Sequence, residues 1–249
     1  MEKIKVGIVN YLNTLPLLRG IEASPVRAQI ELSGAYPSKL AEALIRKEID
    51  LGLVPVAVIP QVPGARIVSN YGIAADGPVA SVCLFSDCPL EEIDTVLLDY
   101  QSRTSVALTR ILFAEYWKRP VRFEAASGEF NELIKGETAG VLIGDRCLSF
   151  RPQARNIYDL SEAWKAFTGL PFVFAAWVSN RELPESFCQA FDAANAAGLQ
   201  LIPEIVQQHP LADYDLLEYY TKNIRYLLDE PKKKGLALFL EKLNQIPQL

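Results

Sequence analysis

The sequence predicts an α/β fold in two lobes around a cleft, and three observations carry that reading. Short β-branched apolar runs alternate with helical patterns between Ile4 and Val54, as parallel βαβ units require. A second block of the same kind begins near Thr95. Two almost wholly apolar strands, Val79 to Phe85 and Phe172 to Val178, flank that block with no flexible linker on either side, and strands so apolar suit burial on both faces. The expected division is 1–84 plus 177–249 for one lobe, which carries the C-terminal helices, and 85–176 for the other. Two chain crossings then join the lobes, leaving a cleft where small ligands usually bind. A single continuous sheet is the competing architecture.

Each element has its own signal. Ile4 to Val9 is β-branched and stops at Asn10, which marks a buried strand. Val26 to Leu32 is a second strand, ending in Ser33-Gly34. Pro37 to Lys47 reads as a helix, with Pro37 at its start and Leu40, Ala41, Leu44 and Ile45 on one face. Asp50 to Val54 and Arg66 to Ser69 are further strands. In the second block, Thr95 to Leu98 ends at Asp99, and Ser102 to Ser105 precedes a helix burying Leu108, Ile111 and Leu112. Val121 to Glu124 and Ala139 to Ile143 are strands, with a short helix from Gly128 to Lys135 between them. Beyond Pro184 the pattern is helical to the end, punctuated by Pro203, Pro210 and Pro231.

Composition narrows the function. The chain has 249 residues, 50% of them hydrophobic and 22% charged, which excludes a disordered, fibrous or coiled-coil protein. A net charge of -5 gives no basic footprint for nucleic acid or an anionic membrane, so an anionic ligand needs a local pocket. The single histidine, His209, cannot build a histidine-rich metal site, and any serine or cysteine triad would have to use it. Its polar Gln207-Gln208 setting reads as surface. Cys83, Cys88, Cys147 and Cys188 show no CxxC spacing and read as small buried hydrophobes or idle thiols. The apolar run Val6 to Val9 is too short for a signal-peptide core, and no stretch reaches membrane-span length, so a cytoplasmic location is expected. No GxGxxG follows the first strand and no GxxxxGK[ST] occurs, which removes the usual support for nucleotide binding.

Polar residues gather where strands should end, the ligand-binding edge of open α/β sheets. Asn10, Asn13 and Thr14 lie at the mouth of the first strand, suited either to capping or to holding a polar ligand. Ser102-Arg103-Thr104-Ser105 opens a helix. Its hydroxyls can cap that helix, while the helix end and the arginine fork can equally bind an anion. Ser33-Gly34 and the Gly77 to Ser81 loop can form turns or expose backbone N–H groups. Asp99 and Asp145 end strands of the second block, as acids or bases in the cleft or as helix caps and arginine partners.

Five motifs in order, VNYLNTLPL at 9–17, GPVASV at 77–82, LLDYQSRTSVALTRILF at 97–113, VLIGD at 141–145 and TGLPFVFAAW at 168–177, resemble the chorismate dehydratase family of menaquinone biosynthesis by the futalosine route. The resemblance implies a type 2 periplasmic-binding-protein-like fold. It also implies loss of water from chorismate to give 3-[(1-carboxyvinyl)oxy]benzoate, without a cofactor. On that likeness Asn13 and Ser81 fall on catalytic positions of the cleft. Ser102, Arg103, Thr104 and Ser105 fall on the carboxylate-binding loop; Asn10, Ser33, Gly34 and Asp145 are expected as further substrate contacts from their place at strand ends alone. The implied partner is a small dianion, with neither nucleic acid nor membrane, and the oligomeric state is left open. The rival readings are the sister enzyme 1,4-dihydroxy-6-naphthoate synthase, a non-enzymatic receptor for a small carboxylate, and the effector lobes of a transcription regulator. The SRTS and TGLPFVFAAW segments favour the dehydratase over the sister synthase.

Overall fold

The computed structural model describes residues 3–246. In chain order the first lobe opens with β1 (Ile4–Val9), α1 (Leu15–Ala23), β2 (Ile30–Ala35), α2 (Pro37–Ile45), β3 (Leu51–Pro55) and β4 (Arg66–Ala75). The chain then builds β5 (Val82–Ser86), β6 (Thr95–Leu98), α3 (Thr104–Ile111), β7 (Arg122–Ala125), β8 (Thr138–Ile143), α4 (Gly144–Phe150), β9 (Asn156–Asp159) and α5 (Leu160–Thr168). It returns through β10 (Phe172–Ser179), α6 (Glu185–Leu199), α7 (Ile202–Gln208), α8 (Leu216–Glu218), β11 (Arg225–Leu227) and α9 (Glu230–Leu243). Two sheets result, ordered β11-β4-β10-β3-β1-β2 and β7-β6-β8-β5-β9. β1 pairs in parallel with both β2 and β3, while β10 runs antiparallel to β3 and β4.

Several elements differ from the sequence expectations. Val26 to Gln29 is a 3-10 turn set by Pro25, so the second strand starts at Ile30 and continues through Ser33-Gly34. Residues 128–135 hold only a 3-10 turn, Asn131–Leu133. The four-residue spacing of Phe130 and Ile134 is met by an irregular segment that buries both against the outer face of the second sheet. β9 and α5 are additions, as is β11, which interrupts the helical tail and pairs with β4. The crossings also come earlier than expected. β5 begins at Val82 and pairs with β8 and β9, and β10 begins at Phe172 in the first sheet, against boundaries expected at 84/85 and 176/177.

Packing fixes how the first lobe presents its loops. α1 and α6 cross with backbones in contact at Gly20 and Gly198, where a Cβ on Gly198 would lie 1.9 Å from the Pro16 carbonyl oxygen. Beneath that crossing the fully buried Trp177 donates its indole N–H to Asn195 at 3.1 Å, and Asn195 donates to the Phe191 carbonyl at 2.7 Å. The buried polar groups there are thus satisfied, which burial demands. Cys83, Cys88 and Cys147 are buried and unpaired by disulfide, and Cys188 is half-buried. Among the described residues no helix is long and apolar enough to cross a membrane.

Candidate active site

Strand ends and helix starts from both lobes converge on a narrow cleft between them, the place where small ligands usually bind in folds of this kind. Its walls include Val9, Pro37, Leu53, Ile73 and Phe174, and its polar lining includes Asn13, Ser81, Ser102, Thr104 and Ser105. Five of the ten sequence-derived site residues therefore converge on one cavity.

Asn13 arrives on a 3-10 turn, Leu12–Thr14, directly after β1. That turn is braced from inside: the Thr14 hydroxyl donates to the Val9 carbonyl at 2.6 Å or to that of Tyr11 at 2.8 Å. From the other lobe, Asp145 accepts the Leu12 N–H at 3.1 Å. Burial pushes the Asp145 carboxyl above its ordinary range, and the Leu12 hydrogen bond only partly offsets that effect. Asp145 thus ties the two lobes together without itself lining the cavity.

Ser81 sits in the crossing between β4 and β5. The residue before it, Ala80, has a left-handed backbone with φ of 65°, an uncommon conformation for a residue with a Cβ. Its main chain is held on both sides: Asp159 accepts the Ala80 N–H at 2.7 Å, and Arg151 donates to its carbonyl at 3.0 Å. Asp159 also caps α5 through Ser161 and Glu162. The Ser81 hydroxyl accepts from the buried Tyr219 hydroxyl at 2.8 Å.

The Ser102 to Ser105 segment does cap its helix, as the plain reading allowed, because Ser102 Oγ accepts the Ser105 N–H at 3.0 Å. Thr104 Oγ1 accepts the Ala57 N–H from the opposite lobe at 3.2 Å. These contacts set the polarity of the site. Ser81, Ser102 and Thr104 each accept from the protein, and a hydroxyl carries one proton beside two lone pairs. Each therefore has its own O–H to direct at a ligand, and the cavity is lined by donors without a carboxylate or a cation among its lining residues.

The remaining expected site residues lie elsewhere. Arg103 does not line the cavity; it reaches across to the first lobe, to Gln61 at 3.3 Å and Glu42 at 3.5 Å. The Asn10 side chain covers Gly34, and the Ser33 hydroxyl points back to the Val6 carbonyl at 3.4 Å. The reason is common to all three: β2 runs on to Ala35 beside β1, so these residues serve the sheet edge. Asp99 is buried and pairs with Arg146 at 2.6 Å, while burial raises its carboxyl above the ordinary range. His209, half-buried at the end of α7, is not among the lining residues. Among the described residues no group of three or more His, Cys, Asp or Glu gathers to hold a metal.

The sequence reading missed the tyrosines. Tyr11 lines the cavity and donates to Gln101, and Tyr219, Tyr220 and Tyr226 all reach loops of the site. Three tyrosines within eight residues of a tail is the signal that was present, since a buried phenol needs a hydrogen-bond partner.

Residues 4–245 match the family described as Menaquinone biosynthesis. The chain belongs to the menaquinone biosynthesis family. Two relatives are chorismate dehydratases. That of Thermus thermophilus is 31% identical over 98% of this chain and 96% of its own length, and that of Campylobacter jejuni is 28% identical over 90% and 86%. A Candida albicans protein described as having the generic periplasmic-binding-protein fold superposes with a TM-score of 0.69 over 100% of this chain and 92% of its own, at 12% identity. The two sheets and two lobes of this family member are thus a type 2 periplasmic-binding-protein-like fold.

Proposed function

We propose that this chain is a chorismate dehydratase, a hydro-lyase that eliminates water from chorismate to give 3-[(1-carboxyvinyl)oxy]benzoate in the futalosine route of menaquinone biosynthesis. The observation that carries the reading is the end-to-end identity of 31% with the Thermus thermophilus enzyme. The donor-lined cavity containing Asn13 and Ser81 supports it.

The chemistry suits neutral donors. Removing the proton from the ring carbon that bears the ether, and the hydroxyl from its neighbour, completes an aromatic ring. That proton and the departing hydroxide together make the water, so the balance needs no external acid or oxidant. The protein has to hold two carboxylates, orient the leaving oxygen and keep bulk water out. Ser102, Thr104 and Ser105, at the N-terminal end of α3, supply hydroxyl donors and a favourable helix dipole for a carboxylate. Asn13 offers a carboxamide to charge that develops during the elimination, and Ser81 offers its hydroxyl to the leaving group. Incubating the purified protein with chorismate tests the reading: loss of one water, seen by liquid chromatography and mass spectrometry, is expected. Binding of chorismate without turnover would instead favour a receptor for small carboxylates.

Arg103 has a different part. Its side chain is 38% exposed and its ion pair with Glu42 is long, so that pair adds little stability. Outside the lining but next in sequence to Ser102 and Thr104, the guanidinium draws the dianion in rather than holding it at the reacting atoms. Arg103→Ala is therefore expected to raise KM about fivefold at low salt with kcat nearly unchanged, and salt should shrink the difference. A KM equal to wild type would leave the hydroxyls as the sole anion site.

A further inference from the structure

The short C-terminal segment after Asp215 braces both loops of the site. α8 runs into one π-type turn, Tyr219–Asn223, and such turns occur frequently at functional sites. The wider turn brings two consecutive tyrosines inward, with Tyr219 0% and Tyr220 1% exposed. Tyr220 donates to the Leu12 carbonyl at 3.0 Å, Tyr226 to the Asn13 carbonyl at 2.9 Å, and the Asn223 amide to the Pro78 carbonyl at 3.1 Å. Those three contacts end on main chain. The fourth, from Tyr219 to Ser81 Oγ at 2.8 Å, ends on a side chain of the reaction site.

We propose that Tyr219 is a positioning residue that acts through Ser81, fixing the serine hydroxyl as a donor aimed at the departing hydroxyl of the substrate. The inference rests on the dehydratase reading above. Of two hydroxyls in contact, the phenol is the stronger acid and takes the donor role. Burial holds the Tyr219 phenol well above its ordinary titration range, so it keeps its proton at any working pH. With one lone pair taken by Tyr219, the single proton of Ser81 is turned toward the cavity. Accepting from Tyr219 also polarises the Ser81 O–H and strengthens its donation as the carbon–oxygen bond lengthens. Ser81 loses no proton in the cycle, because the proton from the ring carbon completes the water.

Four enzymes test this: wild type, Tyr219→Phe, Ser81→Ala and the double variant. Tyr219→Phe is expected to lower kcat about tenfold with KM within about twofold of wild type. Ser81→Ala is expected to lower kcat about 100-fold, and the double variant should be no slower than Ser81→Ala. Multiplicative losses, or a loss confined to KM, would overturn the inference. Should Tyr219→Phe fail to fold, 3-fluorotyrosine at position 219 keeps the ring and makes a more acidic donor; kcat at or above wild type is expected, and a tenfold fall would count against the proposal. Wild-type protein that leaves chorismate intact would sink the functional reading and this inference together. Wild-type turnover with independent losses would sink this inference alone.

Discussion

Replacing Asn13 by alanine is expected to cut kcat about 10³-fold, the upper range for removing one preorganised donor from a polar transition state, while KM stays within a few-fold. The expectation follows from how firmly the main chain around Asn13 is held without its side chain. Thr14 braces the turn internally, Tyr220 and Tyr226 donate to the carbonyls of Leu12 and Asn13, and Asp145 holds the Leu12 N–H. None of these contacts uses the Asn13 carboxamide, so truncation leaves the loop and the Ser102 to Ser105 subsite in place. What disappears is a dipole facing the substrate. Product formation followed by liquid chromatography decides the matter, and near-normal turnover would remove Asn13 from the mechanism.

A second large effect is expected in stability. Gly198→Ala places a methyl group 1.9 Å from the Pro16 carbonyl oxygen and within 3.0 Å of the Gly20 backbone. Those neighbours are main chain and cannot rotate away, so α1 and α6 must separate. We expect a loss of about 4 kcal/mol, large for a single substitution, and a melting temperature lower by about 10 °C for a chain of this size. Chemical denaturation would measure it, and wild-type stability would mean that the two helices slide apart freely. Because Pro16 follows the Leu12–Thr14 turn closely, the folded fraction of this variant should also turn over more slowly.

Much of the architecture was legible because its signals are local. β1 announces itself by β-branched residues that stop at Asn10, and α2 by Pro37 and its apolar face. Asn13 and the hydroxyls of 102–105 could be placed because they sit where strands end and helices begin, and Ser81 because it closes the glycine-led loop at 77–81. What stayed hidden depends on contacts distant in sequence. The spacing of Phe130 and Ile134 imitates a helix, yet both are fixed by the second sheet. β11 has three residues and exists by pairing with the edge of β4. Arg103 reads as an anion ligand until Glu42 and Gln61 face it from the other lobe. Tyr219 lies 138 positions from Ser81, and no periodicity announces such a pairing.

The position of Ser81 within the chain crossing has a mechanical consequence. Any rotation of one sheet against the other pivots on the two connecting segments, and a group on the pivot sweeps the shortest arc. Asn13 rides on one lever arm and Ser102 to Ser105 on the other. Such a rotation would therefore displace Ser81 less than it displaces Asn13 or Ser102 to Ser105 relative to one another. On the proposed reading, the hydroxyl offered to the leaving group would lie near that fulcrum, while the hydroxyls offered to a carboxylate would travel with their lobe.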